Sequence, residues 1–448
     1  MKFKTTLILA LVLAVGIVAV VLLNRQEEKK EKAEEHASRI LNIEQENVNE
    51  LYLLPEGIHC VRDSLGWRIT QPVRTDGDKS AIESVIRLFE RADKERVVSS
   101  DPQDYRKFGL EPATGSIVVV HSEGRDTVFV GDKSPTGSFV FARQSGSPDV
   151  FLTATTLKNN VEKELFDLRD KKALGFDKNN VRSLTLENRH GRFVLERSVE
   201  GWRVVKPNEY EAEQSDIQSM MNRLSSENVN EYVEEAPESL RRYGLTNPSR
   251  QITVTLSNGA TKSLLIGKRI NKEYYGKDNN RDPVFLVDTS FVSLFDKNLY
   301  DLRNKQLTDF MSNDVSKFSL TFDDMTIECE KDTAGTWTLT RPEQRKTKSW
   351  KMSSITRKAS QLEIAQFADD DPASLVPYGL NDPAAQAVFY NDEGQILVDL
   401  LLGKVRDDQV YAKTADSDAV YLIEKSVLET LTPDLDEISE SMPEEETN

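Results

Sequence analysis

Three short phrases in this chain put an aromatic ring and a cation two residues apart: Phe141-Ala142-Arg143, Tyr275-Gly276-Lys277 and Tyr411-Ala412-Lys413. On a strand that spacing places both side chains on one face and turns the small middle residue to the other. A thrice-repeated face of this kind suits an anionic polymer or the acidic surface of a partner. It equally suits a cation stem laid over a ring at a sheet surface, with no ligand at all. Four histidines, His36, His59, His121 and His190, have no second His or Cys at metal-ligand spacing, so no zinc site is expected. Asp369-Asp370-Asp371 lacks the alternating ligands and turn glycine of a Ca²⁺ loop and is read as a helix-cap region. No phosphate-binding Gly-Lys-Ser/Thr loop, Gly-x-Ser-x-Gly elbow or EF-hand loop occurs. The residues name no catalytic group and no cofactor.

Charge narrows the partners. The chain carries a net charge of −17, and its last stretch holds Asp434, Asp436, Glu437, Glu440, Glu444, Glu445 and Glu446 with no basic residue between them. Nucleic-acid binding needs a basic footprint, which this balance does not supply. The two cysteines, Cys60 and Cys329, are 269 residues apart, close to twice the interval described next. Equivalent places in separate units do not meet, so no disulfide between them is expected.

The elements that must position these groups recur at a fixed period. Trp67, Trp202 and Trp337 stand 135 residues apart, each opening Trp-x-apolar-x-x-Pro and ending at Pro72, Pro207 and Pro342. Gly109, Gly244 and Gly379 keep the same interval, as do Pro102, Pro237 and Pro372. Gly131, Gly267 and Gly403 follow at 136. The chain is therefore one domain-sized unit written three times.

Within a unit, β-type segments open at Val48, Val181 and Val315, and the Trp strand follows with Trp67 and Ile69 on one face. A helix is expected next, because Ile82, Val85, Ile86 and Phe89 fall at i, i+3, i+4, i+7. Ile217, Met220, Met221 and Leu224 repeat the stripe, and Met352, Ile355, Thr356 and Ala359 give a weaker one, so the third helix should be the least firmly packed. Asp101-Pro102 reads as the cap and first residue of a short helix that Gly109 stops. Asp371-Pro372 to Gly379 reads likewise. Hairpins close the unit, with turns at Glu123-Gly124 and Ser257-Asn258-Gly259. Leu168-Arg169-Asp170-Lys171 and Leu302-Arg303-Asn304-Lys305 lead into the following units, whereas the third copy runs from Leu431 to Asp434 into the acidic tail. That arginine is expected to bridge to the next unit. The class is α+β: three tandem homologous repeats of about 135 residues, each an antiparallel sheet with one or two packed helices, after an N-terminal transmembrane helix.

The address follows from residues 5–23, an uncharged apolar run about 28 Å long as a helix, near the hydrocarbon thickness of a bilayer. It lacks a small-x-small cleavage site and reads as an uncleaved anchor. The expected division is a cytoplasmic N-terminus 1–4, an anchor 5–23, a charged helical stalk 24–44, repeats 45–175, 176–310 and 311–432, and a disordered acidic tail 433–448. The bulk is expected outside a bacterial cytoplasmic membrane.

The apolar N-terminal run, Trp-Arg-x-x-x-Pro, Tyr-Gly-Leu-x-x-Pro, apolar-Gly-Lys and Val-Tyr-Leu together resemble the bacterial domain-of-unknown-function 4340 family, over essentially all of the chain after the anchor. The first copy departs locally, with Phe108-Gly109-Leu110-Glu111-Pro112 one residue shorter before its proline. The resemblance implies a membrane-anchored accessory of an ABC-type transporter, of the export or gliding-motility kind, with permease subunits as partners. It brings no catalytic residues. A module binding envelope glycan or a lipid-linked polymer is the alternative expectation, and a hydrolase a third.

Overall fold

The computed structural model describes residues 37–440, so the anchor expected at 5–23, most of the stalk and residues 441–448 lie outside the described part. Three antiparallel sheets of nine strands each follow one another along the chain. In the first, the strands are β1 (Val48–Leu54), β2 (Ile58–Asp63), β3 (Gly66–Gln71), β4 (Thr75–Asp76), β5 (Arg96–Ser99), β6 (Gly115–His121), β7 (Gly124–Lys133), β8 (Phe139–Gln144) and β9 (Val150–Ala154). Their spatial order is β4-β3-β2-β1-β6-β7-β8-β9-β5, and the other two sheets keep that order strand for strand. By compactness the chain forms two units. Among the described residues, one takes those up to Gly175 with Ser226–Asn247 and Ile266–Thr289; the other takes Phe176–Ser225, Pro248–Leu265 and those from Ser290 onward.

The period-2 pattern fixes which face is buried. Leu51 and Leu53 on β1, Cys60 on β2, Trp67 and Ile69 on β3, and Ile117 and Val119 on β6 all face one core. The helix Lys79–Glu90 covers it with Ile82, Val85, Ile86 and Phe89, all at 0% exposure. Asp78 caps the helix, its carboxylate accepting from the Ala81 N–H at 3.0 Å. In the third repeat Met352, Ile355, Thr356 and Ala359 are buried as well, so the weaker stripe still faces a core. Cys60 and Cys329 sit in the cores of the first and third repeats as free thiols, and burial pushes both up to about 12.

Several expectations change. The balance is mostly β rather than α+β, because each repeat sets nine strands against a single helix of 12 or 13 residues and a few short helices of seven residues or fewer. The short element before Gly109 is a 3-10 turn, Tyr105–Phe108, capped by Asp104; Asp101 instead takes a positive φ of 57°. The last part of the expected stalk belongs to the first repeat: Ile40 and Leu41 lie in its core, and the Ile40 N–H donates to the Ala92 carbonyl at 2.8 Å. At the far end, residues 433–440 are folded. The helix Leu435–Ile438 buries Ile438, and the Glu440 N–H donates to the Lys346 carbonyl at 2.9 Å. Among the described residues no helix is long and apolar enough to cross a membrane.

Candidate functional site

The glycine and tryptophan signatures build the repeat. Trp67, Trp202 and Trp337 are 4%, 7% and 8% exposed. The bonds before Pro72, Pro207 and Pro342 are cis. Gly109, Gly244 and Gly379 end their 3-10 turns at φ of 66°, 72° and 69°, a region open to glycine at no steric cost. Each turn lies directly on a strand glycine: a Cβ at Gly131, Gly267 or Gly403 would come within 2.1, 2.2 or 2.3 Å of a carbonyl oxygen of Phe108, Tyr243 or Tyr378.

The aromatic–cation faces are spent locally. Phe141, Tyr275 and Tyr411 pack on Phe108, Tyr243 and Tyr378, the residues just before those turn glycines, with centroids 5.1, 4.9 and 5.1 Å apart. Lys277 donates to the carbonyls of Asp278 and Arg281, and Lys413 to those of Thr414 and Ser417, so each lysine closes its own loop. Burial pulls the Lys277 ammonium below the usual lysine range. Arg143 lies over Tyr105 and Phe129 at 4.8 and 4.7 Å. The structure thus places all six residues half-buried in strand–turn contacts within single repeats.

A second polar arrangement is on β1, β2 and β3. His59 takes Thr70 Oγ1 at 2.8 Å on Nδ1 and Glu50 at 3.0 Å on Nε2, and it stacks on Tyr52 at 3.9 Å. Hydrogen bonds from Tyr52 and then His59 hold the Glu50 carboxyl below the usual range. The order hydroxyl–imidazole–carboxylate resembles a nucleophile relay. In the third repeat, however, the equivalent places of Glu50 and His59 hold Lys317 and Glu328, an ion pair at 3.4 Å. The position is a cross-strand pairing site whose charges can be exchanged. His121 pairs with Asp126 at 3.0 Å and His190 with Asp296 at 3.8 Å. Among the described residues no cluster of His, Cys, Asp or Glu is placed to hold a metal ion.

The arginines at the repeat junctions form the most developed polar site. Arg303, 8% exposed, makes a bidentate pair with Asp370 at 3.0 and 2.7 Å. Its guanidinium lies between two rings, Phe367 at 3.5 Å and Tyr210 at 3.8 Å. The Tyr210 hydroxyl donates to Asp370 at 3.0 Å. The middle residue of the acidic triplet is thus a clamp on the preceding repeat. Burial works against ionisation of Asp370, but hydrogen bonds from Arg303 and Tyr210 outweigh it and hold the carboxyl below the usual range.

Arg169 makes the same junction one repeat earlier. It pairs with Glu235 at 2.5 and 3.1 Å and lies on Tyr232 at 3.4 Å. Both arginines enter through the same bridge, Gly77 with Arg169 and Ala212 with Arg303; Thr347 with Ser439 is the third. The arginine's expected bridge is there at both junctions, and the residue in its place in the last repeat is Ser439. The partner of that position varies too. Thr75, Tyr210 and Arg345 occupy one register place, opposite Ile69, Val204 and Leu339. Their types differ, so a search for recurring residues passes over them; only the common offset from the Trp signals the position.

A cavity of about 480 Å³ lies beside Arg169, with Thr75, Tyr232 and Glu235 on its wall. A family model described as a domain of unknown function (DUF4340) matches residues 67–201, 202–383 and 337–443. No curated protein and no solved structure matches the chain.

Proposed function

Because the chain belongs to the DUF4340 family, we propose that it is a non-catalytic, membrane-anchored interaction protein of the cell envelope, serving an ABC-type transporter of the export or gliding-motility kind. Permease subunits are its partners, and residues 5–23 hold it at the cytoplasmic membrane with the repeats outside. The observation that carries this reading is the use made of the recurring side chains. The Trp and Gly signatures, the aromatic–cation faces and the junction arginines are each engaged in building a repeat or joining it to the next. That is the economy of a scaffold rather than of a reaction centre. The uncharged apolar run supports the anchor. The loop-closing role of Lys277 and Lys413 lends no support to the glycan-binding alternative.

Affinity purification of the tagged full chain from native membranes after mild crosslinking tests the proposal. Recovery of a permease and its ATPase at near-stoichiometric levels is expected. Their absence, under conditions where a known transporter complex survives, would overturn it.

A further inference from the structure

We propose that the strand-to-helix segment 341–358 of the third repeat, with Trp350 at its centre, is a docking surface for an anionic lipid bilayer.

Comparison of the three repeats supplies the argument. The segment holds seven lysines and arginines and one acidic residue, Glu343, in a chain whose net charge is −17. The same stretch of the second repeat, 206–223, holds two basic residues and four acidic ones, and that of the first, 71–88, three of each. The change falls on matched places. Lys346 stands in the register place of Asp76 and Glu211. Lys348 takes the helix-cap place of Asp78. Two residues on is Trp350, 65% exposed, where the other helices have Ser80 and Ser215.

The fold does not call for these residues. Asp78 caps its helix, whereas Lys348 makes no side-chain cap bond. Lys348 and Lys351 put cations at the positive end of the helix, the less favourable arrangement. The helix fills the core with Met352, Ile355, Thr356 and Ala359, not with Trp350. Neighbouring acids offset part of the charge. Arg341 meets Glu328 at 3.3 Å, Arg345 meets Glu343 and Asp436, Lys351 meets Glu437 at 3.0 Å, and Lys358 meets Glu424 at 3.3 Å. Lys348 reaches only a carbonyl, that of Asp436. Lys346 and Arg357 are exposed, with no ion-pair partner among the described residues, and Arg357 continues the exposed helix face at i+7 from Trp350. This composition favours lipid over protein. A protein hot spot seats its tryptophan in an apolar centre where lysine is depleted. Here Lys351 lies over the ring at 5.0 Å, and Ser349 and Ser353 are exposed within one turn of it. An amphipathic ring at headgroup level, with lysines drawn to anionic lipid, is the chemistry of a membrane interface.

The test is tryptophan fluorescence of the full chain reconstituted into vesicles whose acyl chains carry bromine, a short-range quencher. Trp67, Trp202 and Trp337 are buried, so contact with a bilayer is read from Trp350. One set of vesicles is phosphatidylcholine alone, and the other includes phosphatidylglycerol. An N-terminal anchor is common to both sets, so the difference between them reports the surface. Quenching and a blue shift are expected with the anionic vesicles, weakening as salt is raised. Trp350→Phe should abolish the difference. Lys346→Glu with Arg357→Glu should at least halve it, with the melting temperature unchanged. No difference between the two sets, or one that Trp350→Phe leaves in place, would overturn the proposal. So would a blue shift that soluble poly-glutamate produces and anionic vesicles do not, which assigns the surface to an acidic polypeptide.

Discussion

Tyr210 reaches Arg303 through one face of its ring and Asp370 through its hydroxyl. Tyr210→Ala should therefore lower stability by about 1–2 kcal/mol, the range for a partly desolvated cation–ring contact. Denaturant unfolding checks this, and a loss shared by the Arg303→Leu background would show that the ring acts elsewhere. Asp370 adds a pH signature. Its carboxyl is held below the usual range, so its stabilising effect is complete above the ordinary aspartate pKa of ~3.9 and is lost as pH falls through the lowered value. Asp370→Asn should be less stable than wild type at pH 7, with the gap closing progressively below about pH 4. A gap unchanged between pH 7 and pH 3 would remove the carboxylate from the clamp. At this scale the sequence is uneven. A tryptophan or glycine repeated at one interval is visible because its type recurs. Thr75, Tyr210 and Arg345 share a place but not a type, and what each does depends on a residue far along the chain.

Among the elements, the short 3-10 turn lies so close to its strand glycine that a Cβ there would clash with a turn carbonyl oxygen. Gly267→Ala should cost about 1–3 kcal/mol, as overpacking does. Substituting the turn-tip Gly259, whose Cβ would meet nothing within 4 Å, is a useful contrast, because its cost comes from the positive φ alone. Thermal melts of both variants measure the difference; equal losses would remove close approach as the reason for Gly267. Apolar periodicity makes the helices legible, since burial of one face is a local pattern. Caps and ends are harder. Asp101-Pro102 carries the local signature of a helix start, yet the turn begins at Asp104, where a side chain can reach the Arg106 N–H. The end of the last repeat is not legible in the sequence, because its closing segment presents Ser439 in place of an arginine.

For the whole molecule, the junction arginines make neighbouring repeats share stability, as nearest-neighbour terms do in tandem arrays. Arg303→Leu should remove about 1.5–3 kcal/mol, the scale of hydrogen bonds to a charged group. The loss should appear first in the third repeat. Hydrogen exchange should quicken in Gln366–Asp369 and Ser349–Ser360 while the strand Val48–Leu54 keeps its protection. Uniform loss of protection would mean that the repeats open as one. The threefold plan is readable without coordinates because a period needs no contacts to be seen. Mostly-β balance is not, since many strands are too short to show alternation, such as the two-residue Thr75–Asp76.

The two thiols give this array an internal clock. Cys60 and Cys329 are the chain's complete cysteine complement, one in the first core and one in the third, and the middle repeat has Leu195 at the matching place. Both are fully covered, and with thiols pushed up to about 12 almost no thiolate exists at neutral pH while the cores stay closed. A pulse of an alkylating reagent therefore marks each cysteine only during the moments its own repeat is open. Mass spectrometry of the two labelled peptides then times the breathing of the terminal repeats separately, in one sample and without any engineered probe.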